Sequence, residues 1–235
     1  ESIDYPIENY ILINNGGDKI KSKLDKIMAI PHQYIKNKKV YHMPNNIGVA
    51  AGWNLIIKTF MLSPYWIISN HDVHFSPGFL HELYIKSLEE DVGLIHGKPG
   101  DFNLGCFDLF LIKDWVIQSH GLFDDNFYPA YCEDSDYIMR LLNKPVKSIK
   151  NIDKKYYHGN STEYYDEHGG GNTQKECSKM KQKLIFANQK NFEYMNQKWG
   201  EGWRNCNPYK TPFNNNNNLN ITSFDLDYNR AKYTP

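Results

Sequence analysis

No run of about 18 apolar residues occurs in this 235-residue chain, so no segment reads as a spanning helix. Net charge is absent too: 27 basic residues balance 27 acidic ones, which removes the global electrostatic case for a nucleic-acid partner. Cysteine is scarce. Cys106, Cys132, Cys177 and Cys206 form no CxxC pair and match no zinc spacing, which fits free thiols in a reducing compartment. A soluble, cytoplasmic protein is the expectation. The chain opens at Glu1 without a methionine, and a further segment upstream is expected.

What is present is a globular composition, 40% hydrophobic and 14% aromatic, with enough length for one domain and an appendage. Apolar runs alternate with helical spacing. Ile11–Ile13, Val40–Met43 and Tyr65–Ser69 read as strands, Lys19–Ile30 and Val49–Leu62 as helices. Helices follow over Pro77–Leu88, Lys113–Ser119, Asp134–Leu142 and Gln174–Trp199, with strands over Val92–His96, Phe107–Ile112 and Val146–Ile149. This order predicts an α/β fold: a mixed, mostly parallel central sheet flanked by helices, then a C-terminal helix and an extended tail. Residues 1–206 form the expected domain and 207–235, with their asparagine run, the tail.

Two stretches carry chemistry. Gly121-Leu-Phe-Asp-Asp-Asn-Phe-Tyr-Pro-Ala-Tyr-Cys-Glu-Asp-Ser-Asp136 sets Glu133, Asp134 and Asp136 at a helix mouth. One carboxylate there is ordinary capping; three exceed what a cap needs, so some should face a cleft. Caps remain an open reading for Asp134 and Asp136, and Arg140 is placed to pair with Asp136. Upstream, the strand ending at Ser69 runs into Asn70, His71, Asp72 and His74, groups with metal-ligand chemistry at a strand's carboxyl end. The plainer alternatives are a turn residue for Asp72 and surface histidines for His74 and His158.

The order of these pieces resembles the GT-A glycosyltransferases, in particular the family-2-like group that uses nucleotide sugars. Ile11-Leu-Ile-Asn-Asn-Gly-Gly-Asp18 resembles the first nucleotide-binding turn, and Asn45-Asn-Ile-Gly-Val-Ala-Ala-Gly-Trp-Asn54 the Asn-x-Gly element. Asn70-His-Asp72 stands where an Asp-x-Asp metal motif belongs, and Gly121–Arg140 resembles the Gly-x-Phe-Asp … Glu-Asp-x-Asp … Arg segment; Lys198-Trp-Gly200 is similar too. The likeness covers roughly residues 2–200. It departs at Asn14 and Asn70, which replace aspartates, and the family's first strand has no counterpart ahead of Ser2.

The resemblance implies an inverting, metal-dependent transfer of sugar from a nucleoside diphosphate, UDP first among them, to a saccharide or glycoconjugate acceptor. It implies Asp134 as the base, with Glu133 and Asp136 orienting it or touching the acceptor. Asn14, Asn15, Gly16, Asn46, Gly48, Asn54, Asn70 and Gly105 are the expected nucleotide-sugar contacts. For Asn46, Gly48 and Asn54 a turn with a helix start is the plain alternative; for Gly105, a loop. The expected cofactor is a divalent cation held by Asp72 with His74 or His158, and an imidazole ligand favours Mn²⁺ over Mg²⁺. Trp53, Trp66 and Trp115 read as core, Trp199 and Trp203 as sugar-stacking candidates, and the Gly169-Gly-Gly171 loop as a lid. The competing readings are a sugar-phosphate nucleotidyltransferase and a degenerate carbohydrate-binding domain.

Overall fold

The computed structural model describes residues 2–97, 107–143, 148–159, 178–203 and 212–213. Gly105, Cys106, Cys177, Cys206, the Gly169–Gly171 loop, the start of the helix expected from Gln174 and nearly all of the tail lie outside them.

The first unit is β-α-β. Strand β1 (Ile7–Asn14) pairs in parallel with β2 (Ile35–His42) across a 3-10 turn (Gly17–Ile20) and helix α1 (Lys21–Ala29). Helix α2 (Val49–Thr59) leads to β3 (Tyr65–Ser69) and the short β4 (Val73–Phe75). Then come α3 (Phe79–Ser87), β5 (Val92–His96), β6 (Leu109–Lys113), α4 (Asp114–His120), α5 (Glu133–Asn143), β7 (Ser148–Asn151), β8 (Tyr156–His158) and α6 (Ser178–Trp199).

Strands β3, β6, β5 and β7 make a four-stranded sheet in that order. Its centre, β5 and β6, reads Val-Gly-Leu-Ile-His and Leu-Phe-Leu-Ile-Lys, near-continuous apolar runs suited to strands covered on both faces. Alternation divides their side chains. Leu94, Phe110 and Ile112 pack under α2, α4 and α5 with Trp66, Ala50, Ile57, Val116, Tyr137 and Leu141. Leu109, Leu111 and Ile95 pack on the other face against Phe79, Leu80 and Leu83 of α3 and against Tyr156.

The α/β class stands as expected, with one correction to the pairing. Among the described strand pairs, β1–β2 and β5–β7 are parallel and β3–β6, β5–β6 and β4–β8 are antiparallel. β6 runs back between β3 and β5, so the parallel order of the first unit does not continue across the main sheet. Boundaries shift where a local signal was missed. The helix expected from Pro77 starts at Phe79, because Gly78 takes a left-handed φ of 75° and ends the turn before it. Strands β4 and β8 have three residues each, too few for periodicity to reveal.

A third cluster fastens α6 to the body: Phe127, Cys132, Met139, Tyr194, Met195, Trp199 and Trp203, with Phe213 packed against it. Trp199 is 0% and Trp203 3% exposed, so both rings are interior, which corrects their assignment as stacking platforms. Trp66 is buried and Trp53 and Trp115 pack on the main core, as read from their apolar contexts.

Candidate functional site

Three segments meet at the ends of β1, β2 and α2. In the turn after β1, Asn14 is buried and its amide is committed: Nδ2 donates to Gly17 O (2.8 Å) and lies 3.0 Å from His42 Nδ1, while Oδ1 accepts from Gly16 N (2.9 Å). His42 in turn contacts Asp25 at 2.8 Å. Asn14 therefore builds the turn that presents Asn15 and Gly16. Asn15 reaches across to the second segment, accepting from Ile47 N (3.2 Å) and donating to Gly48 O (3.2 Å). Asn46 folds its own loop by accepting Gly48 N–H at 2.8 Å.

The third segment closes on Gly48. Tyr128 donates its hydroxyl to Asn46 O (3.0 Å), and Val49 N donates to Pro129 O (2.8 Å) across the cis Tyr128–Pro129 bond. Gly48 has φ 87° and ψ 168°, a region open essentially to glycine, and a Cβ there would sit 3.0 Å from the Tyr128 ring. Asn54 goes elsewhere. It is 4% exposed and exchanges two hydrogen bonds with the Phe123 backbone (2.8 and 2.9 Å), locking α2 to the loop ahead of the acids.

That loop enters α5 through Tyr131 (φ 80°) and Cys132 (φ 73°), two consecutive non-glycine residues in the left-handed region. Such backbone is strained by of order 1–3 kcal/mol per residue and persists only when its surroundings over-determine it. Helix α6 supplies the constraint: Asn191 Nδ2 donates to Ala130 O (2.8 Å) and Tyr131 O (3.0 Å). Lower on α6, Lys198 Nζ sits 2.6 Å from Asp124 and 2.7 Å from Asp136, and Trp199 Nε1 donates to Asp136 at 2.8 Å. Arg140 stands 3.1 Å from the other Asp136 oxygen, and Tyr194 donates to Asp124 at 3.0 Å. Burial would raise the Asp124 carboxyl, but the charge and hydrogen bond of Lys198 hold it below its ordinary range.

The three acids at the helix start are thereby sorted. Asp136 is 0% exposed and occupied in the α5–α6 network. Glu133 is 6% exposed, one oxygen lacks a hydrogen-bond partner, and burial, reinforced by Asp134's charge, pushes its carboxyl up to about 8. Asp134 alone is half-buried, its Oδ1 accepting Ser135 N–H at 2.6 Å.

A second constellation gathers around β4 and β8. His158 Nε2 lies 3.5 Å from Asp72 Oδ1, and its Nδ1 lies 3.3 Å from Asp108 Oδ2. The His158 interaction holds Asp72 below the ordinary carboxylate range, and Asp72 raises the imidazole. Burial raises Asp108, which accepts the Tyr156 hydroxyl at 2.5 Å. Asn70 is exposed, and its N–H donates to Asp108 O at 2.8 Å. His74 does not join the pair. In the β4–β8 ladder Val73 lies opposite His158 and His74 opposite Tyr157, so His74 points to the other face. Its ring meets Tyr157 at 5.8 Å and is exposed.

The chain is similar to a galactofuranosyl glycosyltransferase of Leishmania donovani. The two are 22% identical over 210 residues, taking in 60% of this chain and 48% of that protein. The chain thus spans about half the length of that curated relative. No protein-family model matches the sequence. The likeness supports a glycosyltransferase. Among the described residues no helix is long and apolar enough to cross a membrane.

Sequence reasoning missed Asp108 and Tyr156. Asp108 is a lone polar residue in the apolar stretch Phe107–Ile112, and Tyr156 lies in the three-residue β8, too short to show a pattern. It also missed the task of Lys198 and Trp199, whose partners lie more than 60 residues upstream.

Proposed function

We propose that the chain is an inverting, cation-dependent glycosyltransferase of GT-A type. It takes a sugar from a nucleoside diphosphate, UDP first, and gives it to a saccharide or glycoconjugate hydroxyl. The observation that carries this reading is the sorting of the acids: of the three carboxylates at the start of α5, Asp134 keeps an open surface while Glu133 and Asp136 are enclosed.

Asp134 accepts the proton of the attacking acceptor hydroxyl, a role that needs an ionised, accessible carboxylate on a fixed backbone. Attack opposite the departing diphosphate inverts the anomeric carbon. Glu133, held neutral near pH 7, leaves Asp134 as the charged member of the pair. Asp136, Lys198 and Trp199 hold the helix start in place. The turns carrying Asn15, Gly16, Asn46 and Gly48 are held together by mutual hydrogen bonds and clasped by Tyr128, and in this reading they would meet the nucleotide.

The Asp72–His158 pair fits a divalent cation. Each donor of such an ion stands about 2.1 Å from it, so two neighbouring donors lie about 3 Å apart, close to the 3.5 Å seen here. One carboxylate and one imidazole suit Mn²⁺ ahead of Mg²⁺. Among the described residues no group of three or more His, Cys, Asp or Glu has metal-holding geometry, so water and substrate phosphate oxygens would have to complete the proposed coordination. A bound cation would neutralise charge on the leaving diphosphate.

The test is turnover beside binding. The name of the similar protein makes UDP-galactofuranose the first donor to try. Asp134→Asn should keep cation-dependent stabilisation by UDP and lose turnover by about 10²–10⁴-fold; Asp72→Asn should lose both. Unchanged turnover in Asp134→Asn would sink the base assignment, and UDP stabilisation without turnover in the unaltered chain would favour a binding domain.

A further inference from the structure

Strand β8 brings two different groups to one carboxylate. Tyr156 and His158 are two residues apart and share a face of the strand. Tyr156, 0% exposed and packed on Phe79, donates its hydroxyl to Asp108 Oδ2. His158 presents Nδ1 to the same oxygen at 3.3 Å. Asp108 is itself tied down, since its backbone oxygen accepts Asn70 N–H at the end of β3 and it stands one residue before β6. On the far side of the ring, Nε2 faces Asp72, whose backbone oxygen accepts Gly159 N–H at 2.8 Å. Every member is thus fixed by a strand or a backbone bond, and the imidazole spans them with one nitrogen assigned to each carboxylate.

We propose that Asp108 is a positioning residue: through Nδ1 it fixes the orientation of the His158 ring, so that Nε2 is delivered, lone pair outward, to a divalent cation shared with Asp72. The proposal rests on the cation reading of Asp72 and His158 and adds the residue that makes the histidine a ligand. A carboxylate on the second nitrogen of a ligating histidine selects the tautomer, orients the ring and raises its basicity, and removing such a partner typically weakens metal binding 10–100-fold. Tyr156 fixes Asp108 in turn. Its hydroxyl occupies the same oxygen, so the carboxylate has a defined rotation before any ion arrives. Asp108 never touches the ion or the sugar; it acts only through His158.

The experiment measures the affinity of the full chain for Mn²⁺ alone, by electron paramagnetic resonance of the free ion, with thermal midpoints taken in parallel. Four chains are compared: unaltered, Asp72→Asn, Asp108→Asn and Tyr156→Phe. Asp108→Asn keeps an oxygen for the tyrosine but loses the charge facing Nδ1. Its Mn²⁺ dissociation constant should rise 10–100-fold while the fold survives, and Tyr156→Phe should raise it less. Equal affinity in the unaltered chain and Asp72→Asn would overturn the cation reading and this proposal together. A weakened Asp72→Asn beside an unchanged, folded Asp108→Asn would overturn the proposal alone, leaving Asp108 a structural partner of Tyr156. If Asp108→Asn does not fold, unaltered Mn²⁺ affinity in Tyr156→Phe does the same.

Discussion

Glu133→Gln should make the protein more stable as pH rises. The carboxyl of Glu133 is 6% exposed, and burial with Asp134 alongside moves it from 4.5 to about 8. Between those values the folded state keeps a proton that the unfolded chain releases, so stability falls as pH climbs and the loss is complete only above the folded value. Each pH unit in that window costs about 1.4 kcal/mol, so about 3 kcal/mol has accumulated at pH 7. Glutamine has the same shape and no proton to release. Urea unfolding at steps from pH 5 to 8.5 measures the effect, because the titrating groups other than Asp134, which is coupled to Glu133, are common to both chains and cancel in the difference. The variant should gain about 3–4 kcal/mol on the parent between pH 5 and 8, a midpoint shift of roughly 1 M urea or more. Two curves that stay parallel within about 1 kcal/mol would refute the argument: Glu133 would then ionise in the fold, and the division of labour between it and Asp134 would fall with it.

Lys198→Ala leaves Asp124 and Asp136 enclosed without their shared cation; a loss of about 3–5 kcal/mol is expected in denaturant unfolding, and a loss under about 1 kcal/mol would contradict the network. Gly48→Ala forces a side chain into a glycine-only conformation against Tyr128. It should lower stability by about 1–3 kcal/mol and weaken UDP binding in calorimetry, whereas a neutral substitution would mean that the clasp is loose.

Much of the fold was legible because its signals are local. The apolar runs of β5 and β6, the helical spacing of α2 and the β-α-β opening could each be read within a dozen residues. The three acids of α5 stood out for the same reason. Their roles did not, since those depend on what packs against them: Asp136 and Asp134 differ by one helical half-turn in sequence and by complete enclosure in space. Asn14 and Asn54 show the same limit. An asparagine in a turn motif looks available for a ligand, yet Asn14 spends its amide on its own turn and Asn54 on the Phe123 backbone. His74 and His158 looked equivalent, and only the register of a three-residue ladder separates them. Asp108, in the middle of an apolar segment, carried no signal that could have singled it out.

The pairing of α6 with the acid loop sets an order in time. Lys198 lies 74 residues after Asp124, and Trp199 lies 63 after Asp136. At about 5–20 residues per second, a ribosome needs roughly 3–15 s to cover that distance. During that interval the emerging chain holds Asp124 without its cation, and Asp136 has Arg140 alone of its two. The acid loop must therefore wait, hydrated and unset, and the proposed catalytic end of the molecule takes its shape only when the helix that neutralises it has been made.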